Sequence, residues 1–177
     1  MNYAFDWSVI PQALPFLMQG MALSLALLAV SLVGGLALGI VLALMRLSSN
    51  RWLAGIAGAY VSVFRSIPLV LAIFWFYLLV PMVISAVRGQ ATPIGPMYSA
   101  FAAFVAFEAA YFCEVIRAGI QSIPRGQTSA AQALGLTRMQ AMRHVILPQA
   151  LRVVTPLILS KAIIIFQDTS LVYVISV

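Results

Sequence analysis

Four stretches of this chain are each apolar over about the length a helix needs to cross a lipid bilayer, and this constrains its fold more than any other feature. They run over 17–45, 67–87, 97–118 and 153–177. In hydrocarbon every backbone N–H and C=O must be satisfied within the chain, so stretches of roughly 20 apolar residues fold as helices. The expected fold is all-α and integral to the membrane. Charged residues make up only 8% of the sequence and hydrophobic ones 63%, too oily a mixture to face water on every side. One domain over 1–177 accommodates these spans and leaves no room for a separate soluble one.

The boundaries follow from local signals. Pro11 and Pro15 mark where the first span settles into a regular helix. The aromatic segment from Asn2 to Ser8 suits a membrane interface, and without a basic start it does not read as a leader peptide. Gly34, Gly35 and Gly39 read as a glycine-rich turn whose Gly35-x-x-x-Gly39 spacing lets a second helix come close, either in ordinary packing or in a specific dimer. Arg46 to Arg51 forms a turn. Residues 53–64 are expected as a helix near the interface or packed on the bundle, ended by Arg65-Ser-Ile-Pro68. Arg88 to Pro96 is a loop by its Gly and Pro content. Cys113, the one cysteine, reads as a small buried residue.

Charge sets the orientation. Ten Lys and Arg stand against four Asp and Glu, and the basic residues flank apolar runs, which indicates membrane topology and not nucleic acid. Arg46, Arg51, Arg65, Arg117, Arg125, Arg138, Arg143 and Arg152 gather at one end of the spans. The positive-inside rule places that end in the cytoplasm and the N-terminus outside.

Between Ser122 and Pro148 lies a polar island. Gly126 or Thr128 is expected to cap a helix over 129–134, and Gly135 to end it. Thr137 and Gln140 form a capping box for a second helix over 138–147, which Pro148 closes. Ala130, Ala131 and Ala133 offer a small-residue face that another protein could approach closely. His144, the one histidine, reads as a polar-face residue.

The series Ser129-Ala130-Ala131-x-x-x-Gly135, followed after nine residues by Val145-Ile-Leu147-Pro148, resembles the coupling loop of bacterial ABC importer membrane subunits. Glu114-Val-Ile-Arg117-Ala-Gly119, Pro148-Gln-Ala-Leu-Arg152 and Asp168-Thr169-Ser170-Leu171 resemble the polar amino acid permease branch. Val63 to Val70 and Phe166 to Val174 are most similar to its glutamate/aspartate permease subunits. Ser129 stands where the wider family has Glu, and Gln167 where many relatives have Lys. The resemblance implies a type I importer fold with five spans, of which four are expected here, the chain reading as truncated after the fourth. It implies an inner-membrane permease subunit for a polar amino acid, and by its nearest likeness for glutamate or aspartate. The implied partners are an ATPase subunit dimer using ATP and Mg, a second and related permease subunit, a periplasmic amino-acid-binding protein and membrane lipid. This chain would be no enzyme and bind no cofactor, and its sequence has no Gly-x-x-x-x-Gly-Lys-Ser/Thr phosphate loop.

On this resemblance the ATPase-coupling residues are Gly126, Ser129, Ala130, Ala131, Gly135, Leu147 and Pro148, in a cytoplasmic loop over 122–150. Glu114, Arg117, Gly119 and Arg152 would anchor that loop, Glu114 and Arg117 as an i, i+3 ion pair. Charges inside the spans are costly unless paired or in contact with water. Glu108 lies about 15 Å from the end of its span at roughly 1.5 Å per residue, and Lys161 at a similar depth. They are expected either to pair or to line a path. Asp168, seven residues after Lys161, shares its face and, with Thr169 and Ser170, lies towards the outer end. Arg65 is expected at headgroup depth or against a partner subunit, or else to meet a substrate carboxylate. The rival reading is an ion-coupled secondary transporter or channel with Glu108, Lys161 and Asp168 as its relay.

Overall fold

The computed structural model describes residues 7–91 and 93–175. Helix α1 (Val9–Arg46) is followed by α2 (Arg51–Ser66), α3 (Leu69–Phe74), a π-helical turn (Trp75–Leu79) and α4 (Val80–Arg88). Then come α5 (Pro96–Gln121), α6 (Arg125–Ala133), α7 (Arg138–Ala141), a second π-helical turn (Met142–Ile146), α8 (Leu147–Asp168) and a 3-10 segment (Thr169–Ile175). Among the described residues, four helical stretches are long and apolar enough to cross a membrane: Val9–Arg46, Leu69–Arg88, Pro96–Gln121 and Arg138–Ile175. The expected interfacial segment before Trp7 lies outside the described residues.

The first span begins earlier than the prolines suggested. Pro11 falls in the first turn of α1, where N–H groups have no helical acceptor, and Pro15 is carried inside the helix. Asn50 Oδ1 accepts from the Trp52 N–H at 2.9 Å and starts α2. Ile67, forced into extended backbone by Pro68, ends it.

Helix α5 is the hub, with α1, α2, α3 and α8 all packed on it. Its apolar faces contribute Phe104, Phe107 and Phe112 to a core completed by Leu27, Ile73, Ile165 and Val172. Towards the Gln121 end, Ala109, Ala110 and Cys113 form a second cluster with Leu42, Ala43, Ala57 and Val61. The glycines of α1 are helical rather than a turn, and they face α5. A Cβ on Gly39 would stand 2.7 Å from Phe112 Cβ and 3.1 Å from the Ala109 carbonyl oxygen, and one on Gly35 would stand 3.0 Å from Glu108 Cβ. The small-residue spacing is thus used within the chain, to let two backbones approach.

The helix at 53–64 lies against the bundle. Its Tyr60 hydroxyl donates to the Ala106 carbonyl at 2.7 Å, pinning α2 along the middle of α5.

Candidate functional site

The polar island folds as two helices, with two differences from expectation. Helix α6 starts directly after Pro124 without a side-chain cap, so Gly126 and Thr128 lie inside it. It ends in a Schellman motif: Gly135, at φ 84°, donates to the Gln132 carbonyl, and Leu136 donates to that of Ala131. The capping box of Thr137 and Gln140 is present in both directions, at 2.9 and 3.3 Å. Pro148, however, closes nothing. The Leu147 N–H reaches back five residues to the Met142 carbonyl, and this widened turn shifts the hydrogen-bond register just where the Pro148 ring and its missing N–H would disrupt an α-helix. The last helical stretch therefore runs without a break from Arg138, inside the island, to Ile175.

Gly126, Ser129, Ala130 and Ala133 are exposed and spaced i, i+3, i+4, i+7, so they share one face of α6. Ala131 does not join them; it is buried. Leu134 and Met139, also on the island, are 84% and 76% exposed. Neither stands out in a sequence this apolar, because only the fold shows them outside the bundle. Leu147 lies elsewhere, lining an apolar groove with Leu36, Ile40, Ile116 and Val154. Pro148 is exposed at the start of α8.

Beneath the island, Glu114 receives two bonds from Arg117, at 3.0 and 2.6 Å, and lies 3.4 Å from Arg46 of α1. Arg46 joins the Glu114–Arg117 pair, while Arg152, named as an anchor by the resemblance, is exposed and has no ion pair among the described residues. Gly119 anchors by absence: any Cβ there would collide with Val154, so α8 crosses α5 at this point. Gln149 of α8 donates to Gln127 of α6 at 3.3 Å and to the Val145 carbonyl at 2.9 Å, tying the island's first helix to the last span.

Deeper in the bundle, Lys161 Nζ lies 3.1 Å from Glu108 Oε1. Glu108 is wholly buried, and neither of its oxygens has an aligned hydrogen bond. The Lys161 ammonium also stands 4.4 Å from the centre of the Tyr111 ring. Arg65 shares that ring, its guanidinium carbon 5.6 Å from the centre. Asp168 makes no ion pair among the described residues. Thr169 and Ser170 turn their hydroxyls to the Phe166 and Gln167 carbonyls and line a cleft with Ser24 and Tyr173 at the opposite end from the island.

Fold and site together define a helical protein with four candidate membrane spans among the described residues, a polar two-helix island and a buried Glu108–Lys161 pair within the bundle. The chain belongs to the family of binding-protein-dependent transport system inner membrane components, whose model matches residues 35–176. It is 53% identical over 175 residues to the glutamate/aspartate import permease protein GltK of Escherichia coli O157:H7, covering 98% of this chain and 78% of that one. It is 38% identical to the arginine transport system permease protein ArtQ of Bacillus subtilis (strain 168), covering 99% and 76%. Among solved structures, an amino acid ABC transporter crystallised with histidines superposes with a TM-score of 0.87 at 29% identity, covering 99% of this chain and 78% of that one. The MetNI methionine ABC transporter in an inward-facing form superposes with a TM-score of 0.68 at 25% identity, covering 89% and 73%. The fold is that of type I ABC importer permeases, and family membership decides against the ion-coupled transporter or channel.

Proposed function

We propose that this chain is a permease subunit for glutamate and aspartate in the bacterial inner membrane, with its N-terminus periplasmic and the island cytoplasmic. A periplasmic binding protein delivers the amino acid. A second, related permease subunit completes the pathway, and an ATPase dimer supplies the work from ATP and Mg. The observation that carries the reading is the exposed small-residue face of Gly126, Ser129, Ala130 and Ala133, on a helix locked to the last span through Gln127 and Gln149. A partner groove can reach that helix backbone, and any displacement of it passes to α8 as a rigid body. Gly135 sets the angle at which the helix ends. Arg65, Glu108, Lys161, Asp168, Thr169 and Ser170 mark the translocation path.

The test is uptake of labelled glutamate into vesicles carrying the assembled transporter, with and without ATP and binding protein. Uptake should require both. An Ala133→Asp variant should abolish uptake while the complex's ATPase activity persists or the ATPase subunit dissociates. Full uptake in that variant would refute the docking role of α6.

A further inference from the structure

Tyr111 does not figure in the sequence reading, yet it is where two cations from two different helices meet. Lys161 of α8 and Arg65 of α2 lie 4.4 and 5.6 Å from its ring centre, so they stand within about 10 Å of each other. A ring face attracts a cation electrostatically, more strongly where water is excluded. Tyr111 itself is braced by Phe107, one turn away with ring centres 5.4 Å apart.

The charges around the ring are unequally served. Lys161 has Glu108 at 3.1 Å, whereas Arg65 has no acid within ion-pairing distance among the described residues. Glu114, the next acid along α5, is already engaged by Arg46 and Arg117. Tyr111 lies ten residues from the Gln121 end of α5, roughly 15 Å along its axis. Arg65 is also exposed and Tyr111 half-buried, so the open side of the pair is reachable from outside the bundle. Guanidinium is the group best shaped to take a carboxylate in two parallel hydrogen bonds.

We propose that Arg65 and Lys161, gathered on the Tyr111 ring, form a carboxylate-binding subsite for the transported amino acid, with Tyr111 as its positioning residue. Glu108 holds Lys161 in place when the subsite is empty. The inference rests on the permease reading above and adds the residues that meet the substrate. Its ligand is a carboxylate, supplied by either the backbone or the side chain of the amino acid.

The experiment is equilibrium binding of radiolabelled glutamate to the purified, nucleotide-free transporter without binding protein, alongside uptake per assembled complex. Arg65→Gln and Tyr111→Leu should each weaken binding at least tenfold. Tyr111→Phe should recover most of it, since it keeps the ring, and Arg65→Lys only part, since it keeps the charge but not the two-pronged donor; a merely structural loss would not sort in this way. Competition by glutamine as strong as by unlabelled glutamate assigns the subsite to the backbone carboxylate, and weaker competition assigns it to the side chain. Wild-type binding and uptake in Arg65→Gln and Tyr111→Leu would overturn the proposal while leaving the permease reading intact. A wild-type transporter that moves no glutamate under ATP and binding protein would instead overturn the reading beneath it.

Discussion

Gly39 illustrates how little room single residues have where α1 meets α5. A methyl group there would press on Phe112 Cβ at 2.7 Å and on backbone atoms of Ala109 and Cys113 at 3.1 Å, none of which is the free end of a side chain. Gly39→Ala should therefore cost about 1–3 kcal/mol by overpacking, more than the roughly 1 kcal/mol that Ala gains over Gly in a helix. Gly55 of α2 has nothing within 4 Å of the same position, so Gly55→Ala should stabilise by up to about 1 kcal/mol. Thermal unfolding of the detergent-solubilised protein should move in opposite directions for the two. The Glu108–Lys161 pair makes a second case. Removing one partner strands a charge in the core and should cost about 3–5 kcal/mol, whereas the double change Glu108→Gln with Lys161→Met should recover much of that loss. A double change as damaging as the sum of the single ones would show that the two do not act as a pair.

Individual helices were legible where their signals are local. The capping box at Thr137 and the stop at Gly135 depend on a few adjacent residues, and both appear where the residues put them. Pro148 is the instructive failure: as a residue it forbids a regular helix, but a π turn before it relieves the conflict, and such a turn has no sequence signature beyond the proline. The contact of Arg65 with the Tyr111 ring is illegible in the sequence for a related reason. Helical pattern reveals that α2 is a helix, while its inclination is set by the Tyr60 bond to Ala106 and by burial of Ala57 and Val61, contacts distant in sequence. At this scale the Schellman end of α6 can be tested. Gly135 has open space around it, so Gly135→Ala meets no clash and should cost about 1–2 kcal/mol solely from its left-handed backbone. Amide exchange should then speed up over 129–136 and stay unchanged in α5. Faster exchange throughout the bundle would mean that Gly135 supports more than its own helix end.

Across the whole molecule, one polar contact ties the island to the last span and another ties two bundle helices together near it. Gln149 joins α6 to α8, and Glu114, held by Arg117 within α5, joins α5 to α1 through Arg46. On the proposed function, force entering at α6 reaches α8 directly, but α1 follows only if α5 and α1 move together at this end. The long contact through Gly35 and Gly39 binds those helices by shape, and the Arg46–Glu114 contact adds a charge link where they emerge from it. Glu114→Gln removes that link without changing side-chain size and leaves Arg46 and Arg117 facing one another. The three groups are partly exposed, so the loss of folding stability should be small, about 1 kcal/mol or less. The consequence for transport should be larger. Uptake per ATP hydrolysed should fall severalfold, because the ATPase stays docked on an unaltered α6 while the bundle follows its stroke incompletely. Moving the acid's partner provides the control: Arg46→Gln should reproduce the loss, and Arg46→Lys should largely prevent it. An unchanged ratio of uptake to hydrolysis in Glu114→Gln would place the transmission in helix packing alone, with the charged anchor serving only assembly.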